Sequence, residues 1–269
     1  MNVRTRLFTG FALADAILDG LAPKPADALR VMADRSAPGA MAYVTRIVEY
    51  AERIGLGTEV VDYPPADGWR AGATEASGRP TLLVQPAPRG FDVSQFLDRI
   101  GPEADVGGLH PTHAGRHARG EPAVVPPTAE AAMRVAAELV GSLEGALVCV
   151  VGASPTVGRP LALALLSAGA TVRIAQATTR DLIAETCDAD IVIAAAGVPG
   201  LIGRDHLKPG AVAIDVGVTR VEGRLLGDID RAGAEGRAAW LTHVPDGVGP
   251  LTTACLMRNA VRACRRLEQ

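Results

Sequence analysis

The sequence predicts an α/β protein with a doubly wound parallel sheet, and three observations support this. Short apolar runs typical of buried strands alternate with helical spacings of apolar residues along most of the 269-residue chain. The alternation is most regular in the second half, where strands and helices follow each other repeatedly. A glycine-bearing turn, residues 152–158, joins one of these strands to a helix.

The first half predicts helices over residues 8–21 and 38–54 and short strands over 58–62 and 81–85. Pro38 suits a first helical turn, and Gly55 suits the end of the same helix. Segment 101–128 is rich in Gly, Pro and His, which predicts a linker.

The second half opens with a predicted helix over residues 128–143, with Thr128 as its N-cap. Residues 146–151 form a continuous apolar run, which is typical of a strand buried on both faces. Further strands are predicted over 170–175, 191–195, 211–216 and 240–242, and a last helix over 251–266.

The composition limits the catalytic groups and the binding partners that this protein can have. Only two of the 27 cationic residues are lysines, Lys24 and Lys208, and each lies beside proline, as in a surface turn. Because arginine keeps its proton, a lysine-dependent mechanism is unexpected. The net charge of −3 disfavours a nucleic-acid partner. Without a long apolar stretch, a signal-peptide pattern or a CxxC pair, the sequence predicts a cytoplasmic protein that is not membrane-bound.

The turn at 152–158 indicates a nucleotide site, because its glycines let the backbone approach a diphosphate at a helix start. A turn that binds nothing remains an alternative. After the next strand, Gln176-Ala177-Thr178 has no acidic residue to bind a ribose hydroxyl, which favours NADP while leaving NAD open.

Three histidines, His110, His113 and His117, have a ligand-like spacing. Pro111 and Gly115 argue against a continuous helix here, so a polar loop is the preferred interpretation and no metal site is predicted.

Seven further motifs follow one another along most of the chain. In order, they are Gln85-Pro86-x-Pro88, Asp105-Val106-x-Gly108-x-His110-Pro111, Gly152-Ala153-Ser154-x-x-Val157-Gly158-x-Pro160, Gly197-x-Pro199-Gly200, Ile214-Asp215-Val216-Gly217, Gly227-Asp228-Ile229-Asp230 and Val244-Pro245-x-Gly247-Val248-Gly249-Pro250-x-Thr252. As a set they resemble one family, the bifunctional methylenetetrahydrofolate dehydrogenase/cyclohydrolases.

The resemblance implies two α/β domains flanking a cleft: a catalytic domain over 1–122, a Rossmann-type NAD(P) domain over 123–250, and a helix over 251–269 that returns to the first domain. It implies a homodimer formed through the nucleotide domain and a reduced folate as the substrate.

The resemblance also assigns residues. Tyr43 and Gln85 are implied to be catalytic. Substrate binding is implied for Tyr43, Ile47, Gln85, Gly107, Pro245, Asp246 and Gly247. Cofactor binding is implied for Gly152, Ala153, Ser154, Thr156, Val157, Gly158, Gln176, Ala177, Thr178, Gly197, Val218 and Thr252.

This sequence departs from the family pattern at four of these positions. Ile47 replaces the family's lysine, Gly107 replaces its pterin-binding aspartate, Asp246 replaces a glycine and Ala177 replaces a serine. Without a titratable group at position 47, cyclohydrolase activity is predicted to be absent or very weak, whereas hydride transfer needs mainly orientation. Two alternatives stay open: a redox enzyme of a specialised pathway acting on a non-folate molecule, and a non-catalytic ligand-binding homologue.

Overall fold

The computed structural model describes residues 3–63 and 78–267. By backbone contacts the chain divides into two compact units, one of Met1–Ala14 with Thr128–Thr252 and the other of Asp15–Pro127 with Thr253–Gln269. We call them the nucleotide unit and the second unit. No helix among the described residues is long and apolar enough to cross a bilayer.

The strands are β1 (Arg6–Phe8), β2 (Ala28–Ala33), β3 (Gly57–Asp62), β4 (Thr81–Leu83), β5 (Leu147–Val151), β6 (Thr171–Ala175), β7 (Ile191–Ala194), β8 (Val212–Asp215), β9 (Thr219–Val221), β10 (Arg224–Leu226) and β11 (Trp240–Thr242). The helices are α1 (Phe11–Asp19), α2 (Pro38–Ile54), α3 (Val93–Ile100), α4 (Pro111–Ala118), α5 (Pro127–Val140), α6 (Gly158–Ser167), α7 (Leu182–Thr186), α8 (Arg231–Ala234) and α9 (Gly249–Leu267).

The nucleotide unit is built on a six-stranded sheet in the order β1-β11-β8-β7-β5-β6. All its strand pairs are parallel. Every residue of β7 and β8 is buried, as expected of central strands covered on both faces. The predicted α/β class with a doubly wound parallel sheet is confirmed. Because the strands are parallel, their carboxyl ends share one edge, where such sheets bind ligands.

A separate two-stranded antiparallel sheet is formed by β9 and β10. Glu222 and Gly223 connect them, and both have positive φ, 48° and 81°. Two central residues with positive φ are typical of a tight hairpin turn. The sequence did not lead us to predict this hairpin.

The second unit contains a three-stranded parallel sheet in the order β3-β2-β4. Helix α2 buries Val44, Ile47 and Ala51 on one face. A cluster including Met32, Leu83 and Phe96 forms part of this unit's core. The bounds predicted for α2, residues 38–54, match the structure.

Some elements differ from the sequence-based prediction. The helix predicted over 8–21 begins only at Phe11, because Arg6–Phe8 pairs with β11. Backbone contacts group Met1–Ala14 with the nucleotide unit, whereas the predicted first domain runs over 1–122, and these domain bounds stay a prediction. The helix predicted from Thr128 begins at Pro127, so Thr128 is not its N-cap.

The segment interpreted as a linker, 101–128, contains helix α4. The expectation that Pro111 and Gly115 would prevent a helix was wrong. Pro111 occupies the first helical turn, where a missing N–H costs nothing, and the ring Nδ1 of His110 accepts the Thr112 N–H at 3.0 Å.

Candidate cofactor and substrate sites

The glycine turn after β5 has room only for glycine at two positions. Gly152 has φ of 116°, and a Cβ atom there would lie 2.2 Å from the Ala195 carbonyl oxygen. A Cβ on Gly158 would lie 1.8 Å from the Gly152 carbonyl oxygen. The turn is therefore folded tightly on itself and against the segment after β7.

Helix α6 starts in this turn. The Ser154 hydroxyl accepts the N–H groups of Val157 and Gly158 at 3.1 and 3.4 Å. Ala153 and Thr156 are half-buried or exposed at its surface. A tight turn at the start of a ten-residue helix fits a dinucleotide diphosphate, because backbone N–H groups and the helix dipole favour an anion there.

The turn after β6 carries no acidic side chain. Gln176, Ala177 and Thr178 are exposed, and the Gln176 N–H donates to the Thr179 hydroxyl at 2.9 Å. The first carboxylate along this segment, Asp181, caps α7 by accepting the Ala184 N–H at 3.0 Å. No carboxylate within 176–180 would repel a 2′-phosphate.

Two buried aspartates, to which the sequence led us to assign no role, organise the neighbouring turns. Asp228 Oδ2 accepts the N–H groups of Ala196 and Gly197, the latter a predicted cofactor residue, at 2.6 and 2.8 Å. Asp215 accepts the N–H groups of Asp228 and Ile229, each at 2.9 Å. Burial, opposed in part by these hydrogen bonds, raises the pKa of Asp215 to about 6.

The other two predicted cofactor residues have different surroundings. Val218 is 53% exposed, immediately before the hairpin. Thr252 is buried in α9, and its hydroxyl donates to the Val248 carbonyl at 3.1 Å.

The segment after β11 is tightly held. A Cβ on Gly247 would lie 2.7 Å from the His243 carbonyl oxygen, and the Asp246 carbonyl accepts the Gly10 N–H at 2.8 Å. The Asp246 carboxylate lies 3.4 Å from His243 Nδ1. The Val244–Pro245 peptide bond is cis.

In the second unit, α2 presents Tyr43 and, one turn later, Ile47. Ile47 is completely buried, and Tyr43 is partly exposed. Desolvation raises the pKa of Tyr43 to about 12, against the opposing effect of Arg46. The phenol therefore keeps its proton at neutral pH and can donate a hydrogen bond, but it cannot act as a base.

Gln85 follows β4 and is exposed. Its Oε1 atom accepts the Ala87 N–H at 3.3 Å, and the Gln85–Pro86 peptide bond is cis.

The turn that contains Gly107 is built around Asp105, whose two oxygens accept the N–H groups of Gly107 and His110 at 3.0 and 2.7 Å. Burial raises the pKa of Asp105. Asn259 in α9 donates to the Val106 carbonyl at 3.3 Å. A Cβ on Gly107 would make only ordinary contacts, the nearest 3.4 Å from Asp105 Oδ1, so packing does not require glycine there.

His113, the middle histidine of the three at positions 110, 113 and 117, has two structural partners. His113 Nδ1 accepts the Val124 N–H at 3.3 Å, so its Nε2 atom donates to the Pro102 carbonyl at 2.9 Å. Burial lowers the pKa of His113, which favours this neutral form. Among residues 3–63 and 78–267, no three His, Cys, Asp or Glu side chains form a cluster that could hold a metal ion.

Comparison with known proteins identifies the family. The family model described as "Tetrahydrofolate dehydrogenase/cyclohydrolase, NAD(P)-binding domain" matches residues 126–268. A curated relative, "Bifunctional protein FolD" from Polynucleobacter asymbioticus, is 36% identical over 272 residues, covering 98% of this chain and 95% of the relative. The chain belongs to the tetrahydrofolate dehydrogenase/cyclohydrolase family.

Two solved structures from this family are similar along almost the whole chain. The bifunctional FolD of Campylobacter jejuni is 29% identical with a TM-score of 0.89, covering 97% of this chain and 99% of that one. The dehydrogenase-cyclohydrolase of Trypanosoma brucei, solved with NADP and an inhibitor, is 29% identical with a TM-score of 0.87, covering 97% and 98%.

Membership of the tetrahydrofolate dehydrogenase/cyclohydrolase family confirms the resemblance inferred from the motifs and the expectation of an NAD(P)-binding domain. The two alternatives, a non-folate redox enzyme and a non-catalytic homologue, are not favoured by these comparisons. The individual site assignments remain predictions.

Proposed function

We propose that this protein oxidises 5,10-methylenetetrahydrofolate with NADP and has little or no cyclohydrolase activity. The observation that supports the dehydrogenase is the glycine turn after β5, in a chain 36% identical to a bifunctional FolD over 98% of its length. The loss of cyclohydrolase activity rests on Ile47.

On the cofactor side, the turn at 152–158 receives the diphosphate, with Gly152, Ala153, Ser154, Thr156, Val157 and Gly158 as its contacts. Gln176, Ala177 and Thr178 receive the ribose phosphate, and Gly197, Val218 and Thr252 are the remaining contacts. NADP is preferred to NAD because segment 176–180 carries no carboxylate.

On the substrate side, Tyr43 and Gln85 hold the folate through their hydroxyl and amide groups. The further contacts are Ile47, Gly107, Pro245, Asp246 and Gly247. Because the pKa of Tyr43 is raised to about 12, its phenol orients the substrate as a hydrogen-bond donor.

Dehydrogenation requires little acid–base catalysis from these residues. The bound nicotinamide supplies a hydride acceptor. The methylene carbon lies between two nitrogens whose lone pairs stabilise the cation left behind, so the side chains need only orient the substrate and exclude water.

Hydrolysis of the methenyl product requires acid–base catalysis, because water must lose a proton as it adds and a nitrogen must gain one as it leaves. Ile47 has no titratable group and is completely buried. The adjacent Arg46 stays charged and projects about 100° away around the helix, so it does not replace an amine at position 47.

We also propose that the protein is a cytoplasmic homodimer formed through the nucleotide unit. The hairpin exposes Val221, Leu225 and Leu226 to between 38% and 41%. A cavity of about 480 Å³ lies beside it, lined in part by Leu7, Leu225 and Leu226. All four cysteines are free thiols, as in a reducing compartment.

The test uses the purified full-length protein. Mixed with methylenetetrahydrofolate and NADP or NAD, it should produce reduced nicotinamide, followed by absorbance at saturating substrate. Methenyltetrahydrofolate alone should disappear no faster than in buffer. Absence of reduced cofactor with both nucleotides contradicts the dehydrogenase, and appreciable enzyme-dependent hydrolysis over the buffer rate contradicts the loss of cyclohydrolase activity.

A further inference from the structure

Asp228 holds the turn that follows β7. Its side chain is completely buried, and one of its oxygens accepts two adjacent backbone N–H groups, from Ala196 at 2.6 Å and Gly197 at 2.8 Å. Hydrogen bonds to a carboxylate are stronger than those between neutral groups, so this residue fixes the direction of both amides.

The turn that Asp228 holds is packed against the glycine turn. A Cβ on Gly152 would lie 2.2 Å from the Ala195 carbonyl oxygen and 3.0 Å from the Ala196 nitrogen. Both turns lie at the carboxyl ends of adjacent parallel strands, β5 and β7, where ligands of such sheets bind. Any movement of residues 195–197 therefore changes the surface on which Gly152 packs.

We propose that Asp228 is a positioning residue for the dinucleotide, fixing residues 195–197 in the conformation that accepts it. The proposal rests on the proposed NADP-dependent function. It adds to that function a residue to which the resemblance assigned no role, acting through the backbone.

Two neighbours keep Asp228 in place. Asp215 accepts the N–H groups of Asp228 and Ile229, each at 2.9 Å. A Cβ on Gly217 would lie 2.2 Å from Asp228 Oδ1, so only glycine leaves space for this oxygen. Within the described part of the chain Oδ1 has no hydrogen-bond partner, and packing against Gly217 therefore defines its position.

The Gly217 contact provides a test that leaves the carboxylate in the protein. In the full-length chain we would compare Asp228→Ala, Asp228→Asn and Gly217→Ala with the wild type. The dissociation constant of NADP would be measured by calorimetry, and deuterium uptake by the peptide containing residues 195–200 would be measured without cofactor.

Asp228→Ala and Gly217→Ala should each weaken NADP binding roughly ten- to hundredfold, as expected when hydrogen bonds that order a buried turn are lost. Both should also speed exchange at Ala196 and Gly197. Asp228→Asn keeps an acceptor oxygen and should stay within about threefold of the wild type.

Gly203→Ala is the matched control, because its Cβ would meet nothing within 4 Å and its φ is −105°. It should change neither measurement. If Asp228→Ala fails to fold, the positioning role is judged from Gly217→Ala against Gly203→Ala. Weaker NADP binding and faster exchange in Gly217→Ala alone support the role, and equal values in the two variants contradict it.

Two outcomes separate this inference from the proposed function. If the wild type binds NADP and the Asp228 and Gly217 variants bind it equally tightly, the positioning role is wrong while the proposed function stands. If the wild type does not bind NADP, the proposed function is wrong and this inference is wrong with it.

Discussion

Two single positions lack side chains that the family pattern has: Ile47, on which the proposed loss of cyclohydrolase activity depends, and Gly107, which replaces the pterin-binding aspartate. Ile47 is completely buried, whereas a Cβ added at Gly107 would meet its neighbours at ordinary contact distances. The double variant Ile47→Lys, Gly107→Asp should hydrolyse methenyltetrahydrofolate at least about tenfold faster than the wild type, since it regains a proton-transfer group.

The assay follows loss of methenyl absorbance, corrected for the buffer rate. Arg46→Lys is the matched control, because it places an amine on the same helix about 100° away and should give no gain. A double variant that folds, binds folate and still does not hydrolyse it contradicts the assignment of position 47.

Asp215 should make stability depend on pH. Its pKa is raised from 3.8 to about 6, so the folded state holds its proton where the unfolded chain has lost it. The stabilising contribution is complete below about pH 4 and is lost as pH rises through about 6, a change on the order of 3 kcal/mol. The difference in unfolding free energy between wild type and Asp215→Asn should fall by about this amount between about pH 3 and about pH 7, which lie one unit outside the two pKa values.

Denaturant unfolding at several pH values measures this difference, and comparison of the two proteins cancels the titration of other carboxyl groups. A difference that is flat with pH means that Asp215 is not protonated preferentially in the folded state.

The β9–β10 hairpin is where we expect the second subunit of the proposed homodimer to bind. Leu225→Asp with Leu226→Asp places two charges on a half-exposed apolar surface, and burying them in an interface is costly. We predict that the dimer dissociation constant of this variant, measured by sedimentation equilibrium, rises at least about tenfold. Circular dichroism should show that the fold is retained.

Leu166→Asp on α6 is the control, since Leu166 is 54% exposed and lies outside the hairpin. It should leave the association unchanged. Wild-type protein that sediments as a monomer, or an equal effect of both changes, contradicts the proposed interface.

Elements of continuous apolar sequence were predictable, whereas those stabilised by distant partners were not. The all-buried strands β7 and β8 followed directly from their composition. Strand β2 was missed because Arg30 interrupts its apolar pattern, and this guanidinium pairs with Glu59 at 3.0 Å, 29 residues away. Asp228 was assigned no role for a similar reason. Its hydrogen bonds are with Ala196 and Gly197, which precede it by 32 and 31 positions, so they leave no local pattern in the sequence.

Cofactor binding should stabilise the folded chain by mass action, because NADP binds the folded state and not the unfolded one. NADP at about one hundred times its dissociation constant adds about 2.7 kcal/mol to the unfolding free energy of the unit that binds it. We expect NADP to raise the melting temperature more than NAD at equal concentration, measured by calorimetry. Equal shifts with both nucleotides contradict the NADP preference inferred from segment 176–180.

The pairing of β1 with β11 has a consequence for how the protein is made. Arg6–Phe8 is synthesised well before Trp240–Thr242, its neighbour in the sheet. The second unit likewise takes its final segment, Thr253–Gln269, from the far end of the sequence. Because each unit combines segments that are far apart in the sequence, neither unit can finish folding before its more C-terminal segment has been synthesised.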